Sequence, residues 1–354
     1  MRLGVVLFQL GGPDNLEAIE PFLFNLFSDP DIIDFPFARI GRKPLARLIA
    51  STRAKKVRHH YQEIGGGSPI RRFTEQQARA LEAELHIVGP GTDVCCVVAM
   101  RYWHPFTQEA IAQLDAFAPD EIVLLPMYPQ YSSTTTGSSL NEWQRQINCG
   151  TAEVPNCRIV EPQSGTLGIR QLRDVPQHII EHFYRDELYL RALAERIETT
   201  LERFRDPATV ELVFSAHSVP LAVIERGDPY QRQMEETVAL VMQRGRWPNR
   251  HRLCYQSKVG ASRWLQPSLR ATIRDLGTAG VKQVCVAPLS FVSDHVETLG
   301  EIDHEARALA QKVGIQRFEM VPGLNDSPTF IAALAGLVLR AAGIRPAARE
   351  VAAD

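Results

Sequence analysis

Short apolar runs alternate along this chain with longer stretches that have helical periodicity. The runs are rich in Val, Leu and Cys. They occupy residues 3–10, 94–100, 122–127, 210–215, 253–256 and 284–289. Short apolar runs without polar alternation are typical of strands buried on both faces of a parallel sheet that is covered by helices. The pattern therefore predicts an α/β fold with two groups of three strands.

The two groups of strands resemble each other weakly. The segment LLPMY at residues 124–128 parallels VAPLSF at residues 286–291. We predict two Rossmann-like lobes, each with a parallel sheet flanked by helices, and a boundary near residues 150–175. The predicted division is a first lobe at 1–170, a second lobe at 171–325, a C-terminal helix at 326–345 and a flexible tail at 346–354. In such sheets ligands bind at the carboxyl ends of the strands.

Composition narrows the class of protein. The chain has 354 residues, of which 45% are hydrophobic, and a formal net charge of −2. It can bury large cores, and no global field favours nucleic acid. Its cysteines include no C-x-x-C pair, which argues against a zinc ribbon or a dithiol redox centre. Because the sequence shows neither a signal peptide nor an apolar stretch that could span a bilayer, we expect a cytoplasmic protein.

The strongest local signal is SFVSDHVETL at residues 290–299, where a predicted strand ends and a helix begins near Asp294. Asp294 with Glu297 fits a helix-capping pattern. On an α-helix, Glu297, Glu301 and Glu305 would recur every fourth residue and stack on one face. Such a row is usually a solvated face, but like charges at this spacing are mildly unfavourable, and a cation would relieve them.

A histidine, His217, stands at the end of a predicted strand in the segment FSAHSVP. A lone histidine there is usually structural. If Glu297 comes near it, the imidazole and the carboxylate form a borderline ligand set that suits ferrous iron as well as zinc or cobalt. Two protein ligands with open positions suit a metal that must leave again. An unperturbed pKa of about 6.5 also suits a base.

Other segments are less specific. The glycine-rich loop at residues 61–69 precedes a helix and suits an anion, but it is not a Walker loop. The hydroxyl-rich residues 128–139 either cap helices or hold a carboxylate. All charged residues from 35 to 62, including Arg39, are basic, and they follow the apolar residues 22–27. This pattern predicts either a core helix with a solvated basic helix or an apolar lip with a cationic rim that contacts a membrane peripherally.

One pattern is a decoy. The segment from His178 to His182 fits the H-x-x-E-H pattern of a zinc peptidase class, in which both histidines share a helical face. Patterns this short arise by chance, and no third ligand is evident near it. We therefore set the peptidase hypothesis aside in favour of the motifs above.

Several co-linear segments together resemble the ferrochelatase family, from about residue 3 to about residue 339. They are LGGP, IGGGSP, RY, YPQYS with TGSS, SAHSVP, GDPY, YQSKVG and SDHVETL. The resemblance implies two chelatase-type lobes around a porphyrin cleft and a lyase of haem biosynthesis that inserts Fe²⁺ into a porphyrin. It implies that His217 and Glu297 bind iron and handle protons, and it groups Asp294 and His295 with them as catalytic residues.

The resemblance also implies the substrate-binding positions. They are Leu10, Arg53, Tyr61, Ser68, Arg101, Tyr102, Tyr230, Trp264 and Phe291. The porphyrin must pucker so that its nitrogen lone pairs face the metal, and the aromatic members could hold that strained shape. Glu301 and Glu305, further along the same row, would deliver the metal to Glu297.

Two departures from the family pattern refine the expectation. Some relatives hold a [2Fe–2S] cluster with a mid-chain cysteine and a cysteine-bearing tail. Here Ser133 stands at the mid-chain position and no cysteine follows Cys285, so we expect no cluster and no cofactor beyond the substrate iron. Coproporphyrin-using relatives have a tyrosine where this chain has Leu10, so we expect protoporphyrin IX. The alternatives are a coproporphyrin ferrochelatase, another tetrapyrrole chelatase and a non-catalytic porphyrin- or haem-binding module.

Overall fold

The computed structural model describes residues 1–32, 38–148, 172–258 and 263–347. Two four-stranded parallel sheets organise the described chain. The strands are β1 (Arg2–Gln9), β2 (Asp93–Met100), β3 (Glu121–Pro126), β4 (Gln177–Ile179), β5 (Glu211–His217), β6 (His251–Gln256), β7 (Gln283–Pro288) and β8 (Arg317–Met320). One sheet has the order β2-β1-β3-β4 and the other β6-β5-β7-β8. The prediction of two similar α/β lobes is thereby confirmed.

Two strands, β4 and β8, were missing from the prediction because they are short and partly polar. In β4, His178 Nε2 donates a hydrogen bond to the Glu121 carboxylate of β3 at 2.9 Å. Since residues 177–179 form a strand, His178 and His182 share no helical face, and the peptidase pattern is wrong. β4 pairs with β3 of the first sheet, although it follows the predicted boundary at residue 170. Residues 149–171, around which that boundary was drawn, lie outside the described part of the chain.

Helices cover both faces of each sheet. They are α1 (Ile19–Ser28), α2 (Ala38–Glu63), α3 (Ile70–Val88), α4 (Thr107–Phe117), α5 (Ser138–Ile147), α6 (Glu187–Leu201), α7 (Leu221–Glu225), α8 (Tyr230–Gly245), α9 (Leu269–Thr278), α10 (Arg307–Lys312) and α11 (Pro328–Ala341). Two further segments are π-helices, which we name the short π-helix (Ser133–Gly137) and the long π-helix (Glu297–Ala306). None of the helices described is long and apolar enough to cross a membrane.

The central strands are buried on both faces, as their unbroken apolar sequences predict. In β1, Leu3, Val5 and Leu7 face an inner core, whereas Val6 and Phe8 face an outer core under α4 and α5. β7 divides its side chains in the same way between the inner core and an outer core under α9 and the long π-helix. The inner core is one continuous cluster that contains residues of both sheets, α3, α6, α8 and α11. The two lobes therefore share their largest apolar interior.

Helices α1 and α2 form a separate layer on the first lobe. The side chains of Phe22, Leu23 and Phe27 are buried there against α2. The apolar residues 22–27 are thus mainly core, and the interpretation of this segment as an exposed lip is wrong. The exposed apolar side chains among the basic residues of α2 are instead Leu45 and Leu48, of which Leu48 is 66% exposed. The side chain of Arg39 lies outside the described part of the chain.

Candidate functional site

The second lobe brings His217 and Glu297 together. His217 is the last residue of β5, and Glu297 is the first residue of the long π-helix, which follows the neighbouring strand β7. The carboxyl ends of adjacent parallel strands meet at one edge of the sheet, so the two side chains converge there. His217 Nδ1 lies 2.8 Å from Glu297 Oε2. The His217 side chain remains 33% exposed and that of Glu297 17%, so the pair is open to the cleft.

The helix that carries the carboxylates differs from the predicted α-helix. Helical winding begins at Val296, near Asp294 as predicted, and continues from Glu297 as a π-helix of ten residues. No side chain caps its first turn, and Glu297 is turned to His217, so the capping interpretation of Asp294 and Glu297 is wrong. π-helical turns often occur at functional sites. Here the turn places a run of carboxylates beside the strand ends.

The predicted row of carboxylates is continuous at its inner end. The hydroxyl group of Ser257 donates to Glu297 Oε2 at 2.9 Å or to Glu301 Oε2 at 2.7 Å. Ser257 follows β6 and has a φ of +65°, a conformation that costs energy for a residue with a side chain. At the outer end, Glu305 Oε1 lies 2.6 Å from His60 Nε2 of α2. Ser257 and His60 were not predicted as site residues, because hydroxyl and imidazole groups so distant in sequence give no local signal.

His217 and Glu297 each shift the pKa of the other. Burial alone would raise the pKa of Glu297, but the nearby charge of His217 and its hydrogen bond lower it to about 2. Burial would likewise lower the pKa of His217, yet the negative charge of Glu297 raises it above its ordinary value. Each side chain thus favours the charged form of the other.

The pKa of Glu301 is shifted in the opposite direction from that of Glu297. Burial, followed by the negative charge of Glu297, raises the pKa of the Glu301 carboxyl group to about 7. One member of the row can therefore gain or lose a proton near neutral pH. A divalent cation that binds there displaces this proton, because the ionised carboxylate is the metal ligand.

Asp294 and His295 lie behind the pair, not in the cleft. Asp294 accepts hydrogen bonds from Gly323 N at 3.0 Å and from Asn325 Nδ2 at 2.9 Å, and so fastens the loop before the long π-helix. His295 is only 2% exposed, and its Nδ1 lies 3.1 Å from the carbonyl oxygen of Ser293. Its Nε2 has no hydrogen-bond partner. Burial lowers the pKa of His295, so its imidazole is neutral.

The aromatic residues predicted to contact the substrate differ in how deeply they are buried. Phe291 packs between the two imidazoles, with ring centroids 6.0 Å from His217 and 4.0 Å from His295. Trp264 is partly exposed, and its buried Nε1 has no partner. Tyr230 is only 4% exposed, and its hydroxyl group is turned into the lobe. Phe291 and Trp264 are therefore partly exposed, whereas Tyr230 is buried beneath the site.

The first lobe faces the site with small residues and buried side chains. Ser68 packs so closely on Gly12 that a Cβ at residue 12 would lie 2.7 Å from that of Ser68. Leu10 is partly buried against the layer of α1 and α2. On α2, Arg53 lies over the ring of Phe27, 5.9 Å from its centroid. Tyr61 is buried, and its pKa is raised first by burial and then by the charge of Glu297.

Arg101 and Tyr102 serve a buried network. Asp29 is nearly inaccessible, and it accepts from Arg101 Nη2 at 2.9 Å, Tyr102 Oη at 2.6 Å and Ser138 Oγ at 2.7 Å. The two residues therefore have partners within the protein, and the substrate contact that the resemblance implies stays a prediction. They join the end of α1 to the start of α5.

The hydroxyl-rich segment of the first lobe contacts the second lobe. Asp228 Oδ2 accepts from Ser133 N at 2.7 Å, from Ser133 Oγ at 2.8 Å and from Ser132 Oγ at 3.1 Å. Nearby, Gln130 Nε2 donates to Thr237 Oγ1 at 3.0 Å. The position at which some relatives have a cluster-binding cysteine thus carries a hydroxyl group engaged by a carboxylate.

The site offers a metal few protein ligands. Within the described residues, no group of three or more His, Cys, Asp or Glu side chains is arranged to hold a metal ion. His217 and Glu297 offer an imidazole nitrogen and a carboxylate oxygen, donor atoms that suit a borderline divalent metal.

Comparison with known proteins identifies the relatives of this chain. A family model described as Ferrochelatase matches residues 2–342. The chain is 47% identical over 341 residues to a Ferrochelatase of Nostoc sp., an alignment that covers 96% of this chain and 82% of that protein. It is 45% identical over 339 residues to a Ferrochelatase of Aquifex aeolicus, with 96% of this chain and 99% of that protein covered.

A solved structure is similar in fold. SirB from Bacillus subtilis, determined with Fe³⁺, superposes with a TM-score of 0.53 at 11% sequence identity. The superposition covers 97% of both chains. Two lobes of the chelatase type therefore extend over nearly the whole length of this chain.

Proposed function

The chain belongs to the ferrochelatase family, and from this premise we propose that it inserts Fe²⁺ into protoporphyrin IX to form protohaem with release of two protons. Members of the family are enzymes that insert iron into a porphyrin for haem synthesis. The observation that supports the reaction here is the pair of His217 and Glu297, 2.8 Å apart at an accessible strand end.

Two tasks fall to this pair. Fe²⁺ must lose water and approach the ring nitrogens, and the two N–H protons of the porphyrin must leave. An imidazole and a carboxylate can bind a borderline divalent metal and can also accept protons. We assign both tasks to the pair as a unit, because each side chain sets the charge of the other. Asp294 and His295 hold the loop that presents Glu297.

Supply of iron falls to the long π-helix. Ser257 connects the carboxylates of Glu297 and Glu301, and Glu305 lies further out beside His60. Oxygen ligands on successive turns can pass a divalent cation inward, as each binds it only weakly. We propose that Glu301 and Glu305 deliver Fe²⁺ to Glu297. Since affinity alone does not separate neighbouring divalent metals, the site should accept zinc and cobalt as well.

Substrate choice follows from the first lobe. Leu10 places an apolar, partly buried side chain where coproporphyrin-using relatives have a tyrosine. An apolar wall favours the vinyl-bearing protoporphyrin IX, whereas a tyrosine hydroxyl could bind an additional propionate. The direct experiment is an insertion assay with protoporphyrin and coproporphyrin side by side, followed by the loss of porphyrin fluorescence. Faster insertion into coproporphyrin would overturn the assignment of substrate, and no insertion into either would overturn the proposed function.

No resident cofactor is expected. The hydrogen bonds from the amide and the hydroxyl group of Ser133 to Asp228 support this expectation. Protein purified without oxygen should contain no stoichiometric acid-labile sulfide. Detection of sulfide would show that cysteines elsewhere hold a cluster.

Peripheral contact with a membrane is the last part of the proposal. The outer surface of α2 carries exposed Lys43, Arg47, Lys55 and Lys56 together with Leu45 and Leu48. An exposed basic helix with a few apolar side chains binds anionic surfaces without insertion. We propose that the enzyme works in the cytoplasm and contacts the inner face of the membrane through α2.

A further inference from the structure

The backbone of His217 is held by two side-chain hydroxyl groups. His217 N–H donates to Ser290 Oγ at 2.7 Å. Tyr230 Oη donates to the carbonyl oxygen of His217 at 2.8 Å. Tyr230 Oη and Ser290 Oγ are also 2.8 Å apart. The three residues form a closed ring of hydrogen bonds.

The direction of each bond in this ring is fixed by chemistry. A carbonyl oxygen only accepts, so the Tyr230 proton must point to His217. The remaining contact is then satisfied by the Ser290 proton, which points to Tyr230 Oη. Ser290 Oγ in turn accepts from the amide of His217. Every member both gives and accepts, and Ser290 and Tyr230 are 7% and 4% exposed.

The ring replaces hydrogen bonds that the sheet cannot supply. The ladder between β5 and β7 ends at Ser215 and Pro288, and the bond from Leu289 N to Ser215 O is the last one beyond it. The amide and carbonyl groups of His217 therefore lie past the end of this ladder. A buried backbone group without a partner costs free energy, so a catalytic side chain at this place needs another support. Two hydroxyl groups provide it.

The ring is anchored to the opposite lobe. Asp228 Oδ1 accepts from Tyr230 N at 3.0 Å, while its Oδ2 binds Ser133 of the first lobe. The first residue of α8 is thus fixed by a carboxylate that both lobes share. The position of Tyr230, and through it that of His217, depends on the contact between the lobes.

We propose that Tyr230 and Ser290 are positioning residues that fix the main chain of His217 and so aim its imidazole at Glu297 and the incoming metal. This inference rests on the proposed function of His217, and it assigns to Tyr230 a task other than contact with the porphyrin. A wall residue would act through its ring, whereas a positioning residue acts through its hydroxyl group. Tyr230→Phe separates the two, because it keeps the ring and removes the hydroxyl group.

The first test compares Tyr230→Phe with Tyr255→Phe, a control that removes the hydroxyl group of another buried tyrosine in the same lobe. Because misplacement of a catalytic group by about 1 Å can cost up to about a hundredfold, kcat for insertion should fall about tenfold or more. KM for porphyrin should stay within about twofold of wild type, as no substrate contact is lost. A raised porphyrin KM with normal kcat, or equal effects in both variants, would overturn the proposal.

The second test uses Ser290→Ala, with Ser290→Thr as the rescue and Ser215→Ala as the control. Ser215 lies on the same strand as His217. Its hydroxyl group donates a buried hydrogen bond to Gln256 at 2.7 Å but does not bond to His217. The alanine variant at 290 should lose kcat, the threonine variant should regain most of it, and the control should match wild type. Equal loss in the alanine and threonine variants, with thermal unfolding midpoints like that of the control, would contradict the ring.

A third measurement needs no porphyrin. Co²⁺ alone is titrated into wild type, Tyr230→Phe and Tyr255→Phe, and the visible ligand-field bands are recorded. Tyr230→Phe should show altered bands or binding weaker by about tenfold, whereas the control should match wild type. If wild type binds cobalt with this dependence but inserts no iron, the proposed function fails and the positioning role stands. If all three spectra agree, the positioning role fails whether or not iron is inserted.

Discussion

The two lobes have the same strand order but opposite chemistry at their strand ends. The first strand of one sheet, β1, ends in Gln9 and continues into Leu10, Gly11 and Gly12, whereas β5 ends in His217. After the third strand, the first lobe has a short π-helix of hydroxyl residues, and the second has a long π-helix with carboxylates. The two lobes thus share one backbone topology, and a few residues at equivalent strand ends determine how their chemistry differs.

The charges of the lobes differ in the same sense. In the first lobe, Asp29 is neutralised by Arg101, and its oxygen also accepts from two hydroxyl groups. In the second lobe, two carboxylates, Glu297 and Glu301, share a single nearby imidazole and a serine hydroxyl. The negative charge at the Asp29 site is thus neutralised within the protein. At the Glu297 site, negative charge is left over, and a divalent cation can neutralise it.

The largest effect should come from His217→Ala, with His178→Ala as its match in the first lobe. Both histidines lie in a strand and pair with a glutamate, but only His217 lies at a carboxyl end that faces the cleft. Loss of a metal ligand and proton acceptor should lower kcat by about 10²–10⁴-fold, with porphyrin binding and folding retained. His178→Ala should insert iron like wild type. The comparison between the lobes breaks down if His217→Ala keeps about a tenth or more of the activity.

The next largest effect should come from the glutamates of the long π-helix, and it should differ between the inner and the outer positions. Glu297→Gln should lower kcat itself by about 10–100-fold, since its carboxylate acts where metal meets ring. Glu301→Gln should raise KM for iron by a similar factor with little change in kcat at saturating iron. Glu305→Gln should do so more weakly, because Glu305 is 49% exposed and already paired with His60. Stopped-flow insertion over a range of iron concentrations measures these changes. Unchanged iron kinetics in both outer variants would remove the delivery role and leave the inner pair intact.

A third prediction concerns pH and stability. The pKa of Glu301 rises from an ordinary 4.5 to about 7 on folding, so the folded state holds a proton that the unfolded state releases. Stability should therefore fall as pH rises through this window, and the loss is complete above about pH 7. Glu301→Gln should unfold like wild type near pH 4.5 and be more stable by about 1–3 kcal/mol at pH 8.

Denaturant titration of both proteins at several pH values measures this difference. Glu305→Gln is the control, as its half-exposed carboxylate lies at the outer end of the same helix. A gap between Glu301→Gln and wild type that does not change with pH would contradict the assignment.

The smallest effect concerns α2, a helix of the first lobe. Its exposed basic residues should bind vesicles that contain anionic lipid, with each contributing about 1 kcal/mol, and binding should weaken with salt. Lys55→Glu with Lys56→Glu should reduce binding in a cosedimentation assay and leave iron insertion in solution unchanged. Arg270→Glu with Arg274→Glu on α9 of the second lobe is the control with the same change of charge. Equal binding to neutral and anionic vesicles would exclude a part for the basic residues.

Much of this arrangement was predictable from the sequence, because the signals were local. Unbroken apolar runs predict the buried strands, and the strand ends place His217 and Glu297 at one edge. The two missed strands, β4 and β8, are too short and polar to give such a signal. A π-helix has the composition of an α-helix, so the change of winding at Glu297 was not visible in the sequence.

The partners of the site residues were harder to predict. The resemblance placed Arg101 and Tyr102 in the cleft, yet Asp29, some seventy residues earlier in the chain, binds both. Ser290 and Ser257 are ordinary serines in sequence, and only their position beside strand ends gives them a task. Such pairings depend on how distant segments meet, and a single sequence carries no record of it.

The shared inner core has a consequence for synthesis on the ribosome. α11, formed by residues near the C-terminal end of the described chain, packs against α3 of the first lobe and against α6. The apolar surface of α3 that packs against α11 stays uncovered until residues 328–341 have been translated. Nascent chains that stop earlier should present this face to chaperones or to one another. The packing of the first lobe is therefore completed only when α11 has been synthesised, more than two hundred residues after α3.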